Sequence, residues 1–145
     1  MTDKQELLHD GRFRINPDAV EMVTSRPIKR YKLSEIQVGK IRRMWKNRVF
    51  SLYRTTPYKY LMKKNDPEVK EAYSEYCERS KMDNPNRSEE VFNELEDDFD
   101  IQAYDIAKGV IIVDQLSIIV DGQHRSCILL KKYGEKCKIP VLRLY

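Results

Sequence analysis

A chain of 145 residues with 41% hydrophobic and 10% aromatic side chains has the size and apolar content of one domain, which excludes wholesale disorder, a collagen-like repeat and a coiled coil. Its net charge of +4 hides an uneven pattern: +9 over residues 1–63, −9 over 64–107 and +4 over 108–145. The basic flanks suit phosphate groups, nucleic acid or acidic lipid on one surface, and the acidic middle argues against a uniformly polyanion-binding protein.

The N-terminal MTDKQELLHDGRFRI is charged and has no apolar stretch of signal-peptide length. GVIIVDQLSIIVDG is broken by Asp114, Gln115 and Ser117, so it reads as paired strands and not as a membrane span. A cytoplasmic protein without membrane contact is the expectation. Cys77, Cys127 and Cys137 are an odd, scattered trio without CxxC spacing and read as packed thiols.

Residues 13–15 read as a short edge strand ended by Asn16-Pro17. Tyr31-Lys32-Leu33 and Ile36-Gln37-Val38 read as two halves of a β segment, with a turn at Ser34-Glu35. From Lys40 onward, Ile41, Met44, Trp45 and Val49 recur at helical spacing while Arg42, Arg43, Lys46 and Arg48 fill the remaining surface. That pattern predicts an amphipathic helix with Trp45 in its core stripe.

Thr55-Thr56-Pro57 breaks the pattern, and Tyr58, Tyr60, Leu61 and Met62 suggest a short packed segment. Asp66-Pro67-Glu68 has the form of a cap, a first-turn proline and an acidic first turn, followed by the stripe Val69, Tyr73, Tyr76 and Cys77. Asp83-Asn84-Pro85-Asn86 reads as a connector, and a helix from about Ser88 is expected to bury Val91, Phe92, Leu95 and Phe99. Residues 51–107 together read as a helical insertion in a single domain over 1–145. The acidic run 94–100 reads as a solvated face, as a charge partner of residues 29–48, or as a divalent-cation site; EF-hand spacing, HExxH and a compact His/Cys set are all missing from it.

Residues 110–113 and 116–120 read as two strands joined through Asp114-Gln115. DGQHRSCILLKKYG then opens as a sharp loop and continues as a helix stopped at Gly134. Ile139-Pro140-Val141-Leu142 returns as a strand, with Pro140 at its start or on an edge. The chain therefore closes as β-β-α-β within a small α+β domain with a mixed sheet.

Asp121-Gly122-Gln123-His124-Arg125 falls at the strand-to-helix transition. Gly122 takes backbone conformations that other residues resist, and a helix starting near Gln123 offers unpaired amide hydrogens to an anion. Arg125 can grip two phosphate or carboxylate oxygens, and His124 can donate a hydrogen bond or transfer a proton. Asp121 can cap the helix, orient His124, or meet a ribose or a metal-bound water. Plainer readings stand beside these: a turn and cap at Asp121-Gly122, a structural role for His124, and an Arg125 that holds a carboxylate across the fold.

The segment IIVDGQHRSCILLKKYG followed by KIPVLRLY resembles the ParB/sulfiredoxin superfamily, in which a strand leads into Gly-x-(His/Arg)-Arg at a helix start and an Ile-Pro-Val-like strand follows. YKLSEIQVGKIR is similar to the family's N-terminal strand and basic loop, so the likeness covers 110–145 and, more weakly, 30–43. The resemblance implies that Gly122, Gln123, His124 and Arg125 bind phosphate. It also implies a range of activities, from nucleotide-binding partition proteins to sulfinic-acid reductases, nucleases and a free-serine kinase branch. Sulfiredoxin activity is not expected, because Gln123 stands where that chemistry needs a thiol and Cys127 is no replacement. Equivalence to a whole partition protein is not expected either, since no helix-turn-helix domain or dimerisation tail is visible. Glu35 and Asp121 are the available acids for a kinase-like reaction, without a complete kinase pattern.

The resulting expectation is a nucleotide or other phosphorylated small molecule at DGQHR, with Lys40, Arg42 and Arg43 completing the pocket and a nucleoside phosphate with Mg²⁺ as the cofactor class. Any reaction would be phosphoryl transfer or hydrolysis, with His124 or Asp121 as acid/base and Arg125 stabilising charge. The rival is a non-catalytic nucleic-acid or regulatory binding protein that uses the basic segment 29–48.

Overall fold

The computed structural model describes residues 3–82 and 84–145; Asp83 of the expected connector, and Met1 and Thr2 of the N-terminal segment, lie outside the described residues. In chain order the elements are α1 (Asp3–His9), α2 (Pro17–Thr24), β1 (Tyr31–Gln37), β2 (Arg42–Trp45), β3 (Arg48–Ser51), α3 (Thr56–Met62), α4 (Pro67–Arg79), α5 (Glu89–Asp98), β4 (Ile112–Asp114), β5 (Ile119–Asp121), α6 (Gln123–Tyr133) and β6 (Lys138–Leu144). Among the described residues, four strands make a mixed sheet in the order β1-β6-β4-β5, and β2-β3 form a separate hairpin. β6 pairs antiparallel with β1 and parallel with β4, and β4 pairs antiparallel with β5.

Period-two alternation explains why residues 110–113 are apolar without a break. Ile111, Val113, Ile119, Ile139 and Val141 face one core with Cys127, Ile128, Tyr60, Tyr73 and Phe92 from the helices. Val110, Ile112, Val120, Leu142 and Leu144 face a second core with Leu7, Phe13, Ala19 and Val23. A sheet covered on both faces needs apolar side chains on both. No helix among the described residues is long and apolar enough to cross a membrane.

The helical insertion is present as α3, α4 and α5, packed against the first core. Its helix starts follow the sequence: Asp66 accepts from the Glu68 and Val69 amides at 2.9 and 3.3 Å, and the Ser88 hydroxyl accepts from Val91 N–H at 3.1 Å. Phe92 is buried as expected, whereas Val91 is exposed and Phe99 is buried beyond the end of the helix.

Four expectations are corrected. Residues 13–15 form no strand: Arg14 N–H donates to the Ile106 carbonyl and Val110 N–H to the Arg14 carbonyl, two bonds without a ladder. There is no turn at Ser34-Glu35, because both residues continue β1 in register with Val141 and Pro140 of β6. Pro140 lies inside a central strand, but the β4 pairing begins only at Leu142. On that side the Tyr104 hydroxyl donates to the Pro140 carbonyl at 2.6 Å and accepts from Ile111 N–H at 2.9 Å, so the missing proline N–H leaves no ladder gap.

The fourth correction matters most for function. The expected helix after Lys40 is the hairpin β2-β3, turning at Lys46 and Asn47 with φ of 49° and 64°. Of the proposed apolar stripe only Ile41 is buried; Met44, Val49 and Trp45 are exposed, Trp45 to 49%. Cross-strand pairing, not a helical stripe, organises these side chains.

Candidate functional site

The end of β5 and the start of α6 open onto a cleft of about 820 Å³, walled by the hairpin on one side and by α4 and α5 on the other. Gly122 makes the strand-to-helix corner possible. It sits at φ 101°, and a Cβ there would lie 2.8 Å from Ile111 Cγ1 and 3.2 Å from Arg125 Nη2. Any side chain would be both strained and in collision. As the residue capping α6, Gly122 brings no side chain to the helix amides, which face the cleft end of the helix.

Asp121 accepts from Asn16 Nδ2 at 3.2 Å and from Arg125 Nη2 at 3.4 Å. Burial pushes its pKa up, against the opposing pull of Arg125 and Asn16. The other end of the Arg125 guanidinium donates to the Gly109 carbonyl at 2.6 Å. Arg125 thus ties the helix start to β5 and to the loop before β4.

Gln123 is 9% exposed; its Nε2 donates to the Tyr76 hydroxyl at 3.1 Å, and its Oε1 is buried without a partner. The His124 ring is enclosed by Phe92, Tyr73 and Tyr76, with centroids at 4.6, 6.0 and 5.8 Å. Burial first, and then Arg87 and Arg43, pull its pKa down to about 3, so the ring is neutral. Burial pushes the Tyr73 hydroxyl far up, so it stays protonated, and it shares a hydrogen bond of 2.9 Å with His124 Nε2. This is a wall of the cleft and a poor proton relay.

Asp121, Gly122, Gln123, His124, Arg125 and Arg43 all line the cleft, so six of the eight residues expected at the site come together. Lys40 and Arg42 do not join them. Lys40 borders a separate hollow of about 370 Å³ with Lys138 and Arg143. Arg42 donates to the Leu116 carbonyl at 3.0 Å, pinning the hairpin to the β4-β5 connection.

Among the described residues the cleft is lined by Arg43, Arg54, Lys59, Arg79, Arg87 and Arg125 against two carboxylates, Asp18 and Asp121. Arg79 and Arg87 escape a reading of the sequence because they come from a segment with net charge −9 over 64–107, and Arg54 and Lys59 because they lie outside the basic run 29–48. Asn16 escapes it as well, being 105 residues from the carboxylate it contacts. The aromatic stripe Tyr73 and Tyr76 was the available signal, since a hydroxyl at a core position asks for a partner.

Among the described residues no group of three or more His, Cys, Asp or Glu side chains converges as a metal site, and Glu96 of the acidic run is held by Lys64 and Lys131. Burial pushes the Cys127 thiol up to about 12, which fits a packed cysteine. No family model, curated protein or solved structure matches the chain.

Proposed function

We propose that this cleft binds a nucleotide or another phosphorylated small molecule, in a domain of the ParB/sulfiredoxin-like kind. The observation that carries the reading is the surplus of six cations over two carboxylates in the lining of the cleft onto which α6 starts. Phosphate lies at the helix start, where amide N–H groups and the helix dipole favour an anion, with Arg87 and Arg43 closing over it. The partnerless Gln123 Oε1 supports a ligand that brings a hydrogen-bond donor. The unpaired Cys77, Cys127 and Cys137 fit a reducing, cytoplasmic setting.

Arg125 positions and does not clamp, since both ends of its guanidinium are used by the fold. Asp121, whose pKa burial raises against the pull of Arg125 and Asn16, is the acid/base group for phosphoryl transfer or hydrolysis, and neutral His124 shapes the wall beside it. A Mg²⁺ ion carried in by a nucleoside phosphate would meet Asp18 and Asp121 and supply charge neutralisation to the phosphates.

The test is calorimetric titration with inorganic phosphate, pyrophosphate and nucleoside mono-, di- and triphosphates at moderate salt. At 100-fold excess over Kd, a ligand specific for the folded state adds about 2.7 kcal/mol, a rise of roughly 5–10 °C in Tm. Arg87→Gln is expected to weaken binding at least about tenfold without loss of fold, one charge-assisted bond being worth about 1.5–3 kcal/mol. An Arg125 variant is the wrong probe because it disturbs the helix start itself. Absence of binding by every phosphate compound overturns the reading.

A further inference from the structure

The hairpin β2-β3 presents an ordered face to the cleft. In its antiparallel register Arg43 stands opposite Phe50 and Trp45 opposite Arg48, so these four side chains share one face in alternating cation and aromatic pairs. Arg43, Trp45 and Phe50 line the cleft. From the neighbouring walls, the Arg54 guanidinium lies 5.3 Å from the Phe50 ring centroid and Arg79 lies 6.0 Å from that of Trp45. An indole exposed to 49% on a strand, with Arg48 opposite it and the Lys46 ammonium and Arg79 guanidinium at its ring, is not a core side chain.

Positive charge also runs past the cleft, because Lys46 and Arg48 sit exposed at the hairpin tip outside its lining. One phosphate group at the α6 start leaves those cations without an anion.

We infer that the cleft-side face of β2-β3 docks a single-stranded polynucleotide, with one base stacked on Trp45 and the neighbouring phosphates across Arg43, Arg48, Arg54 and Arg79. The inference rests on the phosphate-binding reading of the cleft and extends it from one phosphorylated molecule to a chain of them. Charge complementarity supplies the attraction, and stacking selects a single strand, since a paired base has no free face to offer the indole. DNA and RNA share this chemistry, and the hairpin reads neither sugar.

Trp45 is the chain's one tryptophan, so its intrinsic emission reports on this surface alone. The experiment titrates the full chain with mixed-sequence 12-mer single-stranded DNA, the same RNA, the duplex and ATP, reading Trp45 emission and oligonucleotide anisotropy. Single strands are expected to quench Trp45 and to bind with a slope of log K on log salt near −3, about 0.7 for each of four cations. Trp45→Ala is expected to weaken strand binding about 5- to 150-fold, the stacking of one base, and Trp45→Phe to restore part of it. Arg48→Gln is expected to lower the salt slope by about 0.7 and to leave ATP binding unchanged.

All three substitutions are at exposed positions, and circular dichroism checks the fold. ATP binding without tighter strand binding overturns this inference and leaves the phosphate reading intact. Binding of neither ligand overturns both. Strand binding indifferent to Trp45→Ala and Arg48→Gln, or duplex binding as tight as single-strand binding, places the polymer elsewhere and overturns it too. A preference between the DNA and RNA arms assigns the source.

Discussion

Burial among Tyr73, Tyr76 and Phe92 holds the His124 pKa down at about 3, so the native protein leaves this ring uncharged where the unfolded chain protonates it near 6.5. The unfolded state therefore binds the extra proton, and stability falls as pH drops below about 6.5 and continues to fall toward the native value. Between pH 7 and 5 the loss is about 2 kcal/mol. Asp121 works in the opposite sense: its raised pKa gives a contribution present in acid and lost as pH rises through the native value. His124→Gln keeps a hydrogen-bond partner for the Tyr73 hydroxyl and is expected to flatten the urea midpoint between pH 7 and 5. A variant with the wild-type slope would mean that the native ring is charged. At this scale the sequence showed the glycine corner at Gly122, which is local, but not the rings around His124, which arrive from α4 and α5 more than thirty residues away.

The hairpin is the element where local pattern and structure part company. Ile41, Met44, Trp45 and Val49 fit a helical period, and no Asn-Gly or Asp-Gly pair advertised a turn between them. What decides the fold is nonlocal: Arg42 N–H donates to the Ser117 carbonyl at 3.0 Å, and a bridge joins Arg42 to Ile118. The turn then places Lys46 and Asn47 in the left-handed region, the backbone of a type I′ turn, which costs a residue with a side chain about 1–2 kcal/mol. Asn47→Gly is expected to stabilise the protein by about 0.5–1 kcal/mol, asparagine being the side chain best tolerated there. Thermal unfolding checks it, with a rise of roughly 1–4 °C. A fall in Tm would mean that the turn is not of this type. By contrast, the helix starts at Asp66 and Ser88 were legible because a cap is made within three residues of itself.

Across the whole molecule the opposed charge blocks are not left facing one another as blocks. The acidic run was a candidate partner for residues 29–48, yet its best-buried member, Glu96, bonds Lys64 at 2.6 Å and Lys131 at 2.9 Å. Lys132 adds bonds to the Glu96 and Phe99 carbonyls at 2.6 and 2.7 Å, closing the C-terminal end of α5. The insertion is thereby clamped to the far end of α6, while its arginines Arg79 and Arg87 reach the cleft at the near end. Composition could show that 64–107 is acidic, but not that Glu96 is held at the far end of α6 while Arg79 and Arg87 reach the cleft at its near end. Burial pushes the Glu96 pKa up, but the hydrogen bonds and charges of Lys64 and Lys131 outweigh it and hold the carboxyl below its ordinary value. Its contribution is thus present above about pH 4.5 and lost as pH falls through the native value. Glu96→Gln is expected to cost about 1–3 kcal/mol at pH 7, the range for losing a charged partner from part-buried bonds. Because the clamp joins the insertion to α6, hydrogen exchange should quicken in α5 and in the last turn of α6 while the sheet amides keep their protection. Uniform loss across the sheet and helices would instead show that the insertion and the sheet unfold as one cooperative unit.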